Sequence, residues 1–317
     1  MVNIEGPIAV KVHRVRTVAE GVAVFELVRE SGEPFPRWEQ GAHVDVVVGG
    51  DLERQYSLCG DPDDRTTLTI AVLREPESRG GSRRLHDEVV PGASLAVRGP
   101  RNAFPLGSGP RYLFIAGGIG ITPLLPMVRE VAAAGADWRL VYGGRRAASM
   151  AFVDDLAGLG DPVTLWPQDR LGPIDLDSLL GEPADDVEVY CCGPGALIDA
   201  VEERCAKWPP GALHVERFRP REGALDGERG AFRVRLEASG LTLDVGPAQS
   251  IAEVVEAAGV DVMTSCREGT CGTCETTVLD GVPDHRDSLL TDEEKAENDT
   301  IMICCSRSRT PLLVLDL

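Results

Sequence analysis

Nine cysteines are spread over 317 residues, and five of them fall near the end in a pattern that could do chemistry. Cys266, Cys271 and Cys274 read C-x4-C-x2-C within Ser265-Cys266-Arg267-Glu268-Gly269-Thr270-Cys271-Gly272-Thr273-Cys274, and Cys304 and Cys305 follow downstream. Three thiolates from one tight loop and a fourth from a distant strand make the ligand set of a 2Fe–2S cluster. Gly269 and Gly272 let the loop close around such a cluster and aim backbone N–H groups at its sulfurs. Zinc gathers ligands as two separated C-x2-C or Cys/His pairs, and a single such pair is present; a cysteine-bearing surface loop is the remaining alternative. A cluster of this kind passes one electron at a time, so the next question is what feeds it.

Upstream, Arg54-Gln55-Tyr56-Ser57-Leu58 places a cation, an aromatic ring and a hydroxyl on one strand. Such a strand can set Arg54 on a phosphate, Tyr56 against a flat ring and Ser57 on the ring's edge. Arg79-Gly80-Gly81-Ser82 follows, ahead of a helical stretch at 83–90. Glycines at a helix start expose N–H groups to an anion, which suits a flavin phosphate. Each piece is weak alone, since a Gly-Gly-Ser is more often a plain turn.

In the middle of the chain an apolar run at 112–116 leads into Gly117-Gly118-Ile119-Gly120-Ile121-Thr122-Pro123 and then a helical pattern at 124–134. Strand, glycine turn and helix N-terminus make a pyrophosphate cradle. Gly117, Gly118, Gly120, Thr122 and Pro123 are its candidate contacts. A later strand ends at Cys191-Cys192-Gly193-Pro194, where open α/β sheets bind ligands. Cys192, Gly193 and Pro194 are therefore read at the nicotinamide, and Cys191 as a small buried hydrophobe. After the second strand of this region stand Arg145 and Arg146, in place of the carboxylate that binds ribose hydroxyls. They could accept a 2′-phosphate or be solvated loop charges.

The elements that must position these groups come in three runs. Short β-rich segments at 8–15, 21–28, 42–48, 54–58, 67–72 and 94–98 predict an antiparallel β-barrel. Alternating strands and helices from 107 to 222 predict an α/β parallel-sheet nucleotide-binding domain. Residues 223–231 are polar and Gly-rich, a linker. From 232 a hairpin, a capping box at Ser250 to Glu253, the cysteine loop and a strand at 276–279 make up the last part. The domains expected are thus 1–106, 107–222 and 232–317.

The net charge of −19, from 51 acidic and 32 basic side chains, disfavours nucleic acid and could steer the protein to a basic patch on a partner. No stretch approaches the length of apolar chain that spans a membrane, and residues 1–12 lack the pattern of a secretory signal. An odd, sparse cysteine count fits a reduced compartment, so the expected location is cytoplasmic.

Taken together, these segments resemble phthalate dioxygenase reductase and its vanillate demethylase reductase relatives over essentially the whole chain. The match rests on Arg54-x-Tyr56-Ser57, the 79–82 turn, the 117–123 turn, Cys191-Cys192-Gly193-Pro194, His214-Val215-Glu216-Arg217-Phe218, the cysteine loop, Asp284-His285-Arg286-Asp287, Cys304-x-Ser306-Arg307 and the final Leu315-Asp316-Leu317. The resemblance implies an FMN-binding barrel, an NAD(P)H domain and a C-terminal plant-type ferredoxin of β-grasp fold. It implies FMN rather than FAD, held by Arg54 and the Arg79, Gly80, Gly81, Ser82 turn, with Tyr56 and Ser57 lining the ring. Phe218 would stack near the flavin where nicotinamide enters, although an aromatic at a strand end can also be plain packing. His285 would be a structural hydrogen-bonding residue.

No side chain is implied as a general acid or base. The electrons would pass to an oxygenase component, a Rieske non-haem iron enzyme first and a haem-thiolate monooxygenase as the alternative; a non-catalytic redox carrier is the rival of another class. NADH is the nucleotide the resemblance implies, but Arg146 stands where NADH-preferring relatives carry Asp, which leaves NADPH open. Aligning Ile301-Met302-Ile303-Cys304 selects Cys304 as fourth ligand, and strand alternation predicts that Cys305 faces away.

Overall fold

The computed structural model describes residues 6–49, 52–76 and 80–317. Two compact units divide the chain, one ending at Glu216 and the other beginning at Arg217.

The first unit opens with β1 (Ile8–Ala19), β2 (Val22–Arg29), β3 (Ala42–Val47), β4 (Glu53–Ser57), β5 (Thr67–Leu73), α1 (Gly81–Glu88) and β6 (Ser94–Asn102). The strand order is β4-β3-β6-β1-β2-β5, with every pairing antiparallel. In β1, Ile8, Val10 and Val12 are buried and the residues between them exposed, the period-two pattern of a strand with one face on a core. The outer strands are drawn together after β4, where Leu58 bridges Ile70 and the Cys59 N–H donates to Thr69 O at 2.9 Å. That closure makes the sheet a barrel and removes its open edges.

The same unit continues through β7 (Arg111–Gly117), α2 (Ile121–Ala133), β8 (Asp137–Gly144), α3 (Val153–Ala157), β9 (Val163–Pro167), α4 (Gln168–Leu171), α5 (Leu176–Leu180), β10 (Val187–Cys192), α6 (Gly195–Cys205) and β11 (Leu213–Glu216). This sheet is parallel throughout, in the order β11-β10-β7-β8-β9. The apolar run of β7 is buried on both faces: Tyr112, Phe114 and Ala116 enter one core, and Leu113 and Ile115 the other. The chain leaves β7 towards β8 and later returns to its other side as β10. A crevice therefore opens at the carboxyl ends of β7 and β10. The short helices α4 and α5 were not foreseen, because four or five residues are too few to show a helical period.

The second unit holds β12 (Phe232–Leu236), β13 (Leu241–Val245), α7 (Ile251–Ala257), β14 (Glu275–Asp280), β15 (Pro283–Asp284), α8 (Asp292–Glu297), β16 (Thr300–Met302), β17 (Arg307–Ser308) and β18 (Leu312–Leu315). Its main sheet runs β13-β12-β18-β14-β16, with β12 and β18 parallel and the other pairs antiparallel. Helix α7 packs Ile251 and Val255 against Val234, Leu236, Ile301 and Leu313, the helix-on-mixed-sheet arrangement of a β-grasp. The expected capping box is present, with Ser250 Oγ accepting from the Glu253 N–H and Glu253 from the Ser250 N–H. The cysteine loop fills the connection from α7 to β14.

Candidate redox site

Arg54 and Tyr56 share one face of β4 and Ser57 takes the other. Gly80 is the N-cap of α1 at φ +102°, a conformation that suits glycine. A side chain at Gly81 would run into Arg54 Cγ, so the absence of a Cβ lets the arginine stem cross the helix N-terminus. The Arg54 side chain thus lies beside the N-terminus of α1, with Nη1 donating to Glu53 O at 2.7 Å, and a cation next to a helix N-terminus fits the phosphate of a flavin. Ser82 Oγ accepts from the Glu75 N–H at 3.2 Å, tying the turn to the end of β5. Burial pushes the Tyr56 hydroxyl well up, with Arg54 opposing, so the ring stays neutral. Arg79 lies outside the described residues.

At the carboxyl end of β7 the chain makes a tight turn over Gly118–Gly120 before α2 begins at Ile121. Gly118 has φ +56°, and a Cβ on Gly120 would collide with the Cys192 carbonyl. One on Gly117 would lie 2.7 Å from Pro194 Cδ. The two turns, 117–120 and 192–195, therefore meet backbone to backbone, as a floor for an extended ligand requires. Thr122 Oγ1 donates to Ile119 O at 2.9 Å, which places the hydroxyl on the turn itself. Thr122 and Pro123 are both buried in the first turn of α2.

Cys192 is fully buried, and burial pushes its thiol well up, so it stays protonated. Its Sγ lies 4.0 Å from Glu216 Oε2 at the end of β11, and Ser57 Oγ donates to the same oxygen at 3.3 Å. Three residues from three distant segments thus converge on one carboxylate. Burial pushes Glu216 up to about 8, while the Ser57 hydrogen bond pulls the other way. Glu216 has no role among those expected from the sequence. The usable signal was a carboxylate at the carboxyl end of a parallel strand, where ligands bind. Phe218, at the start of the second unit, is 40% exposed. Arg145 is exposed, and Arg146 Nη2 donates to Glu20 Oε2 at 2.7 Å.

In the second unit the four expected sulfurs gather. Cys266 is held low by hydrogen bonds from the Cys271 and Cys304 thiols, and Cys274 by one from Cys304, so the four form one cage. Among the described residues no three ligand groups are arranged for a single ion; the support for a cluster is the four-sulfur cage. The N–H groups of Glu268 and Thr270 both donate to Cys266 Sγ at 3.4 Å, as expected around a thiolate ligand. Gly269 and Gly272 have φ of +72° and +74°, the loop conformation their identity foretold.

Cys304 and Cys305 are not on a strand. β16 ends at Met302, and Met302 O accepts from the Cys305 and Ser306 N–H groups at 3.2 and 3.0 Å, which closes a turn. Strand alternation therefore does not apply, and Cys305 does not face away from the loop: its Sγ stands 2.5 Å from where a Gly269 Cβ would be. His285 is buried, with Nδ1 3.8 Å from Asp287 Oδ1. The hydrogen-bonding role expected of it is not seen, since neither ring nitrogen has a hydrogen-bond partner among the described residues.

Three comparisons bear on this arrangement. The family 2Fe-2S iron-sulfur cluster binding domain matches residues 234–309. Vanillate O-demethylase oxidoreductase of Pseudomonas sp. (strain HR199 / DSM 7063) is 41% identical over 98% of this chain and 100% of its own. The solved structure of phthalate dioxygenase reductase, described as modular for electron transfer from pyridine nucleotides to [2Fe-2S], is 38% identical over 99% of this chain and 98% of its own, with a TM-score of 0.72. An intact type IV self-sufficient cytochrome P450 monooxygenase is 45% identical over 98% of this chain with a TM-score of 0.89, and this chain spans 41% of it. No helix among the described residues is long and apolar enough to cross a membrane.

Proposed function

The chain belongs to the family of phthalate dioxygenase reductase and vanillate O-demethylase oxidoreductase, and on that premise we propose how its residues share the work. It is the reductase component of an oxygenase system and moves electrons from NAD(P)H to the oxygenase. We assign residues 1–106 to the flavin, 107–222 to the nucleotide, 223–231 to a linker and 232–317 to the cluster. The flavin we assign is FMN, supported by the Arg54 and α1 cradle, which offers one phosphate-sized convergence of charge and N–H groups. Bound flavin would turn the two electrons of a hydride into single electrons, and the 2Fe–2S centre would carry those onward.

The chain's own residues position and tune. The observation that carries this reading is the meeting of Ser57, Cys192 and Glu216 at the carboxyl ends of β10 and β11. It sets a hydroxyl from the flavin barrel beside a buried thiol from the nucleotide sheet, where ring and nicotinamide must meet. Ser57 would orient the ring edge, Tyr56 would line it, and the 117–123 and 192–194 turns would carry the dinucleotide. Arg145 and Arg146 would flank its ribose, and Phe218 would stand at the nicotinamide's entry. Cys266, Cys271, Cys274 and Cys304 would hold the cluster, and the Cys266 sulfur already accepts from two backbone N–H groups. A reduced, cytoplasmic setting suits cysteines that form no disulfide among the described residues.

A Rieske non-haem iron oxygenase is the acceptor we assign, following the dioxygenase and demethylase relatives. A haem-thiolate monooxygenase is the second reading, favoured by the P450 chain that contains this arrangement. Acid release of the flavin followed by chromatography tests FMN against FAD. Cys304→Ala tests the division of labour: NAD(P)H-driven reduction of a dye should survive while reduction of cytochrome c is lost. Equal loss of both would overturn the assignment.

A further inference from the structure

In a doubly wound sheet the ribose of a dinucleotide lies against the residues that follow the second strand, where a carboxylate selects NAD and an arginine accepts a 2′-phosphate. Here β8 is that strand, and residues 143–149 contain two arginines and no carboxylate. A carboxylate nevertheless stands at the place, supplied from the barrel. Glu20, in the turn between β1 and β2, accepts from Arg146 Nη2 through Oε2 at 2.7 Å. Its position does not rest on two long side chains alone, because the Glu20 N–H donates to Ala148 O at 2.8 Å. On the other side, Arg146 O accepts from Ser149 Oγ at 2.9 Å and from the Ser149 N–H at 3.0 Å, so the backbone on both sides is tied down.

We propose that Glu20 is a nucleotide-selectivity residue: by occupying and neutralising Arg146 it holds down the affinity of this site for the 2′-phosphate of NADPH. The inference rests on the pyridine-nucleotide reading above. Arg146 and Glu20 are 61% and 55% exposed, so water competes well for both and the pair is readily exchanged. A 2′-phosphate would compete with Glu20 for the same guanidinium and would be repelled by the carboxylate until it is displaced. Arg145, exposed beside this pair, gives the phosphate a second cation.

The test is Glu20→Gln, which keeps the backbone bond to Ala148 and removes only the charge. The NADPH-to-NADH ratio of kcat/KM should rise roughly two- to fivefold, the size expected of an exposed ion pair. Calorimetric titration with 2′,5′-ADP should show a similar gain, with 5′-AMP as the control that lacks the phosphate and gains nothing. Adding Arg146→Ala to Glu20→Gln should cancel the gain. An unchanged ratio with unchanged 2′,5′-ADP binding overturns the proposal, as does a gain that survives Arg146→Ala. Binding of 2′,5′-ADP needs neither flavin nor cluster. A protein that oxidises neither nucleotide would therefore count against the reductase reading and leave this measurement valid.

Discussion

Ser57 Oγ, at the end of β4, donates a 3.3 Å hydrogen bond to Glu216 Oε2, at the end of β11, across 159 positions of sequence. The bond joins the two sheets of the first unit at the point where, on the proposed reading, flavin and nicotinamide would meet. It also gives a buried carboxyl its hydroxyl neighbour. Removing the hydroxyl with Ser57→Ala should lower kcat/KM for NAD(P)H oxidation by roughly three- to tenfold, the effect of one lost hydrogen bond to a carboxyl that burial keeps largely protonated at neutral pH. Stopped-flow reduction of the bound flavin checks it, and a rate within twofold of wild type would dismiss the role.

Glu216 should leave a pH signature in stability. Its folded value, pushed up to about 8, lies above the ordinary carboxyl value, so the folded protein binds more protons than the unfolded chain between the two. Stability contributed at this site is therefore greatest in acid and falls as pH rises through that window, levelling off above about 8. Glu216→Gln removes the effect. The difference in Tm between variant and wild type should grow in the variant's favour from pH 5.5 to 8.5 (values chosen about that window). A constant difference would show that the carboxyl does not titrate there.

The proposed flavin cradle depends on the missing Cβ of Gly81. Gly81→Ala should drive Arg54 off the N-terminus of α1 and weaken flavin binding about ten- to a hundredfold, matching Arg54→Ala. Fluorescence of flavin released into a filtrate measures this. Normal retention in Gly81→Ala combined with loss in Arg54→Ala would mean that the arginine acts without crossing the helix.

Around the cluster, Cys305 and Gly269 form a pair that substitutions can separate. Cys305→Ala should keep full iron and sulfide if, as proposed, Cys304 is the fourth ligand. Gly269→Ala should lose most of both: its φ is +72°, and the new Cβ would meet Cys305 Sγ at 2.5 Å and Asp287 Cα at 2.8 Å. The double variant should recover little, since the backbone contact and the positive φ remain. Full recovery would assign the whole effect to the cysteine sulfur.

Arg307 is the buried tie of the second unit. Its guanidinium donates to the carbonyls of Gln249, Gly230 and Gly246 at 2.9, 2.9 and 3.1 Å and lies 5.1 Å from the Phe232 ring centroid. Arg307→Leu should cost the unit about 3 kcal/mol or more, by stranding buried carbonyls and losing the cation's ring contact. The loss of the cluster's visible absorption on urea titration would report it. An unchanged midpoint would show that water replaces the guanidinium.

The cluster domain was legible because its signal is local: Cys266, Cys271 and Cys274, the ligands proposed here, lie in one loop, and C-x4-C-x2-C constrains them without reference to the rest of the chain. The Gly117–Gly120 turn, the Ser250 capping box and the doubly buried run of β7 were legible for the same reason. Each is written in the side chains of near neighbours. The order of these segments was enough to resemble one family, and the comparisons bear that out.

What the tertiary structure decided is which distant residues meet. Glu216 carries no local mark, and its role follows only when β4 and β11 bring it to Ser57. Glu20 acquires meaning when the β1–β2 turn reaches Arg146, 126 positions away. Cys305 departs from strand alternation because the chain has already turned after Met302. Periodicity is a property of consecutive residues, whereas these contacts are set by how sheets, turns and caps pack, so they appear only once the chain is folded.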